Sequence, residues 1–412
     1  MNKLFDVVVI GAGPAGMMAA IAAKNDNNNV CVLEKNHSPG KKLLISGKGR
    51  CNVTTSKDIH DIVKAFGKNG GFLYGALTQF SNQDVMQFFE SRRVKLKVER
   101  GDRVFPVTNK SITILNCLVN ELNKKKVEVY YNFDVKKVTK SNDLFQITSN
   151  KETITSKKLI ISTGGKSYPE TGSTGDGYIL AKHFGHTIVN PIPALVPLII
   201  KDNSINNLAG LSLKNIEISF STNNKIFAKE FGEMLFTHIG ISGPIVLKLS
   251  KSVYQELEKG NKVFTNIDLK PKLDEVILRK RIIREIQLAP KKEYQSLLAT
   301  LLPKLLIMYT INSTKINKHQ QSSTLTKEQI SNLITFLKHF NFEINGVESF
   351  SNAIVTHGGI DIDEIERKTM ESTIIPGLYF AGEIICLDGL TGGFNMQKAF
   401  STGFVAGKSA SL

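Results

Sequence analysis

Tryptophan is absent from the 412 residues, so the aromatic side chains are 23 Phe and 9 Tyr. The chain also lacks any run of about 18 apolar residues, which argues against a transmembrane helix. Hydrophobic residues make up 41% and charged residues 22% of the chain, which excludes collagen-like and mainly disordered proteins. At roughly 150 residues per domain, the length predicts two or three globular domains.

Cysteine is scarce, and the four cysteines are widely separated in the chain: Cys31, Cys51, Cys117 and Cys386. No CxxC pair and no Cys/His spacing typical of a zinc site occurs, so neither a disulfide scaffold nor a zinc module is expected. The apolar N-terminus carries an early Asp6 and is interrupted by glycines, unlike a signal peptide. These features together predict a cytoplasmic protein with no membrane partner.

Arginine is rare in a basic chain. Lys and Arg number 53 against 37 Asp and Glu, a formal net charge of +16, yet only nine of the basic residues are Arg. Bidentate recognition of phosphates and bases favours Arg, and the Lys residues are spread along the chain rather than clustered. We therefore interpret the charge as a solvated Lys-rich surface and disfavour nucleic acid as a partner, with a nucleic-acid footprint as the alternative.

Several catalytic motifs are missing. There is no HExxH, no GxSxG and no P-loop, which argues against zinc proteases, serine hydrolases of the nucleophile-elbow type and P-loop NTPases. A second GxGxxG and a CxxxxC or CxxC redox pair are missing too, which argues against enzymes organised like glutathione reductase. No metal site is predicted.

The N-terminal segment has the pattern of a βαβ unit. An apolar strand over Phe5–Ile10 leads through a glycine turn into a small-residue helix from about Ala15 to Lys24, and a second strand covers Val30–Glu34. The turn is a GxGxxG, in which the glycines would allow a tight turn, approach of a pyrophosphate and close helix packing. The predicted dinucleotide site comprises Gly11, Ala12, Gly13, Pro14, Ala15 and Gly16, with Glu34 on the ribose hydroxyls and Lys35 beside it.

NAD and FAD both satisfy this fingerprint, but further strand-end loops favour FAD. The strand LIIST runs into Thr163, Gly164 and Gly165, and the C-terminal YFAGE and LDGLTGGFNMQKAFSTG supply two more loops. Such loops would line the crevice at the carboxyl edge of a parallel sheet. Glu383 could accept hydrogen bonds from ribityl or ribose hydroxyls, and the helix starting near Gly393 could direct its N–H groups at the flavin N1/C2 region. The alternative interpretation is structural: Glu383 would be an acidic helix cap, and the C-terminal helix would only pack against the rest of the protein.

The pattern changes along the chain. A glycine-rich segment over 38–55 is predicted to be a long loop, three prolines over 190–200 indicate a domain crossing, and a mainly β segment follows to about Leu269. Helical periodicity covers about Leu273 to Lys338, and strand character returns at 347–361. We predict a nucleotide-binding domain over 1–191 and 354–412, a β-rich insert over 192–270 and 340–353, and a helical subdomain over 271–339.

A family resemblance covers nearly the whole chain. The strings GKGRCNVTT, RGDRVFPVTNKS, TGGKSYPETGSTGDGY, GEMLFTHIGISGP, THGGID and IPGLYFAGEIICLDGLTGGFNMQKAFSTG resemble the bacterial FAD-dependent oxidoreductase family that includes aminoacetone oxidase and the bile-acid steroid reductase. The resemblance implies an α/β protein: a Rossmann-like FAD-binding core of the two-dinucleotide-binding-domain flavoproteins, with an inserted β-barrel-like domain carrying a helical subdomain.

The resemblance also implies site residues. It places a glycine-rich flavin loop on Lys42 to Asn52, in which Ser46, Gly47, Arg50, Cys51 and Asn52 join Lys42, and it assigns a strand valine at the adenine edge to Val135. The C-terminal flavin contacts it implies are Gly382, Glu383, Asn395 and Met396, next to Gly393 at the helix start. The chain departs from the family pattern at Cys386, where Asp is common, and at Lys48, where Asn or Gly is usual.

These observations predict an FAD-dependent oxidoreductase that acts on a small molecule by hydride transfer at flavin N5. It would be either an amine-type oxidase or a reductase using NAD(P)H as a transient co-substrate. A flavin-dependent RNA-modifying protein and a non-catalytic flavin-binding interaction protein are the alternatives. Tyr168 and His238 are substrate-side candidates, each with a structural role as the alternative. Lys42 and Arg50 are expected to neutralise the FAD pyrophosphate.

Overall fold

The computed structural model describes residues 3–412, apart from the side chain of Asn203. In chain order the strands are β1 (Leu4–Ile10), β2 (Val30–Glu34), β3 (Thr54–Thr55), β4 (Leu96–Glu99), β5 (Arg103–Pro106), β6 (Glu128–Tyr131), β7 (Lys137–Ser141), β8 (Leu144–Thr148), β9 (Thr153–Ile161), β10 (Ile188–Ala194), β11 (Leu198–Ile200), β12 (Ser212–Thr222), β13 (Lys225–Phe236), β14 (Gly240–Ser242), β15 (Val263–Asp268), β16 (Phe340–Val347), β17 (Val355–Ile360) and β18 (Leu378–Phe380).

The α-helices are α1 (Pro14–Ala23), α2 (Lys41–Ile45), α3 (Ile59–Lys64), α4 (Tyr74–Gln79), α5 (Asn82–Glu90), α6 (Ser111–Lys124), α7 (Asp176–His183), α8 (Pro244–Glu258), α9 (Glu275–Leu288), α10 (Tyr294–Leu301), α11 (Lys304–Thr314), α12 (Lys327–Lys338) and α13 (Phe394–Ala410). Within residues 3–412, none of them is long and apolar enough to cross a lipid bilayer. The chain divides into two compact units, one formed by residues up to 194 together with 350–412 and the other by 195–349.

The first unit is built on a seven-stranded sheet with the order β6-β2-β1-β9-β8-β7, in which β18 also pairs with β9. The pairings of β1 with β2 and β9, of β2 with β6 and of β9 with β18 are all parallel. Every residue of β2 is buried, as expected for a parallel strand covered on both faces. The carboxyl ends of these strands meet at one edge, which confirms the predicted Rossmann-like core.

The second unit contains a closed barrel of β11-β14-β13-β12-β15-β16, which confirms the predicted barrel-like insert. The sequence did not predict α8, a 15-residue helix within the segment expected to be mainly β. Helices predicted as a separate subdomain share one hydrophobic core with the barrel, because Leu278, Leu298 and Leu333 belong to the same buried cluster as Ile218. The domain boundaries themselves remain a prediction.

One local expectation was wrong. The segment 38–55 is not one long loop, because α2 and a 3-10 turn over Ser46–Gly49 occupy its middle, where glycine-rich sequence conceals short elements that tertiary contacts hold. The strand character expected over 347–361 is confirmed where β16 ends at Val347 and in β17, and the residues between these strands are not extended in a sheet.

Candidate functional site

The turn between β1 and α1 has the geometry that its glycines predict. Gly11 adopts a φ of +101°, and a Cβ on Gly16 would lie 1.9 Å from the Gly11 carbonyl oxygen. A Cβ on Gly13, in contrast, would meet nothing within 4 Å, so this position faces open space at the start of α1. No side chain caps that helix end. The turn therefore offers free N–H groups and room for a phosphate.

Glu34 at the end of β2 supports this turn. One carboxylate oxygen accepts a hydrogen bond of 2.8 Å from the Ala12 N–H, and the other accepts from the backbone and side-chain N–H groups of Asn36. Glu34 is 7% exposed. Glu34 is thus held by hydrogen bonds to the turn and to Asn36, and it also lines the cavity described in the next paragraph.

One cavity lies at the carboxyl edge of the sheet. It is lined by Ile10, Gly11, Leu33, Glu34, Lys35, Phe133, Asp134, Val135, Thr163, Gly172, Asp176 and Leu180. Val135 is therefore close to Glu34, although it lies between β6 and β7 and not on a strand, contrary to the expectation. Lys35 donates to Thr174 and Asp176 at 2.7 and 2.6 Å, so its charge is balanced by the protein.

The segment from Lys42 to Asn52 is tightly folded. Gly47, Lys48, Gly49 and Cys51 all have positive φ, while Ser46 donates to the Leu43 carbonyl at 2.6 Å. Arg50 binds Glu99 at 2.5 Å and lies 4.2 Å above the Phe105 ring. The guanidinium thus already has a carboxylate partner, and the expected role of Arg50 in neutralising a pyrophosphate stays a prediction.

Lys42 also has a protein partner, which the sequence did not predict. Its ammonium group lies 2.6 Å from Glu383 and also donates to Ser167. The second Glu383 oxygen accepts from the Thr356 N–H and the Ser167 hydroxyl, each at 2.9 Å. Burial acts to raise the pKa of Glu383, but Lys42 and these donors outweigh it and hold the pKa below its usual value. Glu383 is therefore ionised and fixed by the protein.

The loop after β9 packs closely against the same group of residues. A Cβ on Gly165 would lie 2.4 Å from the Thr356 hydroxyl oxygen, and Gly164 has a φ of +79°. Thr356 in turn accepts hydrogen bonds from the Lys166 and Ser167 N–H groups. The loop over 163–167 and the start of β17 are thereby joined around Glu383.

Two buried polar atoms in these loops lack a hydrogen-bond partner among the described residues: Asn52 Oδ1 and the Thr163 hydroxyl. Thr163 lines the cavity beside Glu34. Buried polar groups of folded proteins are generally paired, so each of these unpaired oxygens is a candidate partner for a polar ligand. The donors and acceptors present here match the hydroxyl and carbonyl groups of FAD.

The C-terminal helix α13 begins without a side-chain cap. Its N-cap Gly393 has a φ of +98°, and the first turn contains no acidic residue. Asn395 donates to the Gly389 carbonyl at 2.7 Å and accepts from the Gly389 N–H at 2.8 Å, so its side chain is used within the protein. Any contact of Asn395 with a cofactor would involve its backbone. Met396 is half-buried against the core.

The two uncapped helices α1 and α13 run side by side in the same direction. A Cβ on Gly403 would lie 2.3 Å from the Ala15 carbonyl oxygen, and one on Gly407 would lie 2.0 Å from that of Ala19. With starts at Pro14 and Phe394, α13 extends past α1 by roughly 12 Å at about 1.5 Å per residue. Two positive helix ends are thus staggered along one crevice, and Gly382 contacts Ala15 between them.

Sequence reasoning missed a histidine–aspartate pair in this unit. His357 Nδ1 in β17 lies 2.5 Å from Asp388 Oδ1, in the loop before α13. It also missed Lys398, which is 2% exposed and donates to the Leu387 carbonyl. Burial lowers the pKa of Lys398 to about 8. The sequence signals for the pair were His357 in THGGID and Asp388 in LDG, each directly followed by a glycine.

The two substrate-side candidates belong to different units. Tyr168 has a φ of +52° and donates its N–H to the Phe350 carbonyl, and burial raises the pKa of its phenol. His238 is exposed in the turn between β13 and β14 of the second unit. Nothing in the geometry of either residue singles it out for chemistry, so both remain predictions.

The four cysteines are free thiols. Burial raises the pKa of the Cys51 thiol to about 12 and also raises that of Cys386. Both are therefore thiols and not thiolates at neutral pH, which makes them poor nucleophiles. This environment disfavours a redox role for either residue.

Comparison with known proteins assigns nearly the whole chain to one family. A family described as "HI0933-like protein Rossmann domain" matches residues 5–409. The 3-dehydro-bile acid delta(4,6)-reductase of Clostridium scindens is 31% identical over 412 residues, which cover 100% of this chain and 99% of that protein. The ribosomal RNA dihydrouridine synthase of Haemophilus influenzae is 31% identical over 420 residues, covering 100% of each chain.

A solved structure, 3-ketosteroid delta1-dehydrogenase from Sterolibacterium denitrificans, aligns over 100% of both chains with a TM-score of 0.53 at 12% identity, which shows a shared fold. The match to the family and the full-length relatives agree with the resemblance read from the motifs. The chain therefore belongs to the HI0933-like Rossmann family and is an oxidoreductase with a flavoprotein fold.

Proposed function

We propose that this protein is an FAD-dependent reductase of a carbon–carbon double bond conjugated to a carbonyl group in a small molecule. The observation that carries the proposal is the pair of parallel, uncapped helix ends of α1 and α13, staggered along the carboxyl edge of a parallel sheet. One end suits a pyrophosphate and the other suits the carbonyl edge of a flavin, with the ribityl chain between them.

The residues available fit FAD in this crevice. The turn from Gly11 to Gly16 would hold the pyrophosphate, Glu34 and the cavity beside Val135 would hold the adenosine, and the Asn52 and Thr163 oxygens would accept hydrogen bonds. Bound FAD supplies two-electron hydride chemistry at N5. The ionised Glu383 and the α13 N-terminus would orient the ribityl and pyrimidine parts.

The chemistry named for the two relatives supports a double bond as the target. A 3-oxo steroid with unsaturation at position 4 has a double bond conjugated to its ketone, and the 5,6 double bond of uracil is conjugated to a ring carbonyl. Both can accept hydride at the β carbon because the carbonyl stabilises the charge left at the α carbon. An acceptor of this class would serve this chain.

A nicotinamide cofactor is the proposed source of electrons. The sequence has one GxGxxG and no disulfide redox pair, so NAD(P)H would donate to the flavin from solution without a second dinucleotide domain. An amine would be the donor if the enzyme were an oxidase instead.

The test is an anaerobic titration of the purified flavoprotein. We expect NADH or NADPH, and not an amine such as aminoacetone, to bleach the flavin absorbance, and a 3-oxo-Δ4 steroid or 2-cyclohexen-1-one to restore it without oxygen. Bleaching by the amine alone, or no recovery with either enone, would refute the reductase.

A second candidate is reduction of uracil in ribosomal RNA. The net charge of +16 and the full-length similarity to a ribosomal RNA dihydrouridine synthase favour it. In vitro transcribed ribosomal RNA distinguishes the two candidates: it would reoxidise the reduced flavin and bind with an affinity that falls steeply with salt. If only the small enones reoxidise the flavin, this candidate is rejected.

A further inference from the structure

The His357–Asp388 pair has the geometry of an oriented imidazole. Nδ1 of His357 lies 2.5 Å from the Asp388 carboxylate, which is 10% exposed, whereas 26% of the histidine side chain is exposed. Among the hydrogen bonds of the described residues, none uses the other ring nitrogen, Nε2. One edge of the ring is therefore fixed and the other remains available to a ligand.

A second buried histidine pair in the same unit shows the contrast. His186 binds Glu364 through Nδ1 at 3.1 Å and Ser372 through Nε2 at 2.8 Å, and its side chain is fully buried. Burial lowers the pKa of His186. Both ring nitrogens of His186 have partners and no edge of the ring is exposed, so His186 has a structural role. His357 differs because only its Nδ1 has a partner among the described residues.

The loop that carries Asp388 is held by the first turns of α13. Lys398 donates to the carbonyl of Leu387, the residue before Asp388, and Asn395 forms two hydrogen bonds with Gly389, the residue after it. The carboxylate is thus attached to the same uncapped helix end that would face the flavin.

The strand that carries His357 is attached to the other side of the proposed flavin site. Its neighbour Thr356 donates its N–H to Glu383 and accepts from the loop that includes Ser167. On β10, the residue paired with His357 is the uncharged Ile192. His357 therefore lies between the Glu383 network and the α13 N-terminus.

Several other charged or titratable groups lie near the His357–Asp388 pair. Asp388, Lys398 and Cys386 interact electrostatically with one another, and Asp361 acts on Cys386. Glu383 and Lys42 form the neighbouring ion pair. Of these groups, Asp388 is the carboxylate in direct contact with the His357 ring.

We propose that His357 is the proton donor of the reductase reaction and that Asp388 is its positioning residue. This inference rests on the proposed function. The β carbon of the enone accepts the hydride supplied by reduced flavin, and the α carbon accepts the proton from His357 Nε2. The π bond breaks and two C–H bonds form. The flavin is left oxidised and His357 neutral, and solvent reprotonates the ring.

The first experiment separates the two half-reactions of the holoenzyme. In His357→Gln we expect flavin reduction by NAD(P)H to change by less than about threefold, and reoxidation by 2-cyclohexen-1-one to slow by about 100-fold or more, as for loss of a general acid. His319→Gln is the matched control, because His319 also pairs with a carboxylate, Glu293, at 3.0 Å but lies in the second unit.

The second experiment tests the positioning role without using activity. In the proton NMR spectrum of the holoenzyme, we expect the His357 Nδ1–H that faces Asp388 to give a low-field imidazole resonance, assigned from its absence in His357→Gln. Asp388→Ala removes the acceptor, so the resonance should be lost and reoxidation by 2-cyclohexen-1-one should slow, while flavin reduction by NAD(P)H should not.

The outcomes distinguish this proposal from the proposed function. If wild type is reoxidised by the enone and His357→Gln is equally fast, the proton donor is wrong and the reductase stands. If neither enone reoxidises the wild type, both are wrong. An Nδ1–H resonance that persists in Asp388→Ala, measured in protein that retains FAD, refutes the positioning role.

Discussion

Gly403 of α13 packs directly against the backbone of α1 at Ala15, where a Cβ would lie 2.3 Å from the carbonyl oxygen. The same contact repeats one turn later between Gly407 and Ala19. Two glycines a helical turn apart allow the helices to touch along their backbones. The stagger of their N-termini, on which the proposed flavin site depends, is therefore fixed by the absence of two side chains.

Gly403→Ala should destabilise the protein even though alanine is the better helix former. Helix propensity alone would favour alanine by about 1 kcal/mol. The backbone contact requires the helices to separate, and overpacking of this kind costs about 1–3 kcal/mol. Thermal unfolding measures the difference. Gly71→Ala is the control, because a Cβ there meets nothing within 4 Å, and it should be neutral. Equal melting temperatures for the two variants would contradict the packing argument.

Gly13→Val should prevent retention of FAD while leaving the fold intact. The position faces open space at the start of α1, so a valine fits the protein but fills the space for a phosphate. We expect FAD affinity to fall by at least about tenfold, equivalent to about 1.4 kcal/mol. The flavin-to-protein ratio after desalting is the measurement, with Gly71→Val as the control. Full flavin occupancy in Gly13→Val would reject the predicted pyrophosphate site.

Glu34→Ala should weaken both the turn and the cofactor. The substitution leaves the Ala12 N–H without its acceptor, at a cost of about 1–3 kcal/mol if the group stays buried. Glu34→Gln keeps an acceptor oxygen and removes only the charge. We expect the order of FAD retention to be wild type, then Glu34→Gln, then Glu34→Ala. Equal retention in all three would count against the ribose assignment.

Lys398 should make stability depend on alkaline pH. Burial lowers its pKa from 10.5 to about 8 in the folded chain. Between these two pH values the unfolded state binds more protons, so stability rises with pH there, and below about pH 8 the full penalty is present.

Lys398→Met should therefore raise the unfolding free energy at neutral pH by up to about 3 kcal/mol, at about 1.4 kcal/mol for each unit of pKa shift. The gain should shrink as the pH is raised toward 10.5. Unfolding midpoints of both proteins across this range give the result. A constant difference at every pH would show that Lys398 titrates normally.

Much of the nucleotide-binding half could be predicted because its signals are local. The predicted β2 has the observed bounds, Val30–Glu34, and the helix predicted from about Ala15 to Lys24 matches α1 (Pro14–Ala23) to within one residue, since apolar periodicity and a glycine turn define both elements. The helix α8 was missed because it lies between β14 and β15 in a segment dominated by strand patterns, and its amphipathic spacing begins only at Pro244.

The partners of the site residues could not be predicted in the same way. Lys42 binds Glu383 across 341 positions of sequence and His357 binds Asp388 across 31. Such pairs depend on how strand ends meet at the edge of the sheet, which no local pattern encodes. Hence the sequence pointed to Lys42 and Glu383 as cofactor contacts, while the structure shows that each is first a partner of the other.

The first unit is discontinuous in sequence: β18 and α13 add the last strand and a covering helix to the sheet layer begun by residues before 194, and β17 pairs with β10. During synthesis, the whole barrel unit emerges from the ribosome while the earlier sheet still lacks its final strand and the helix that covers α1. Domains commonly fold as they emerge. Barrel formation should therefore precede completion of the nucleotide fold, and loss of the last 20 residues would leave a folded barrel attached to a sheet whose helix α1 is uncovered and prone to aggregation.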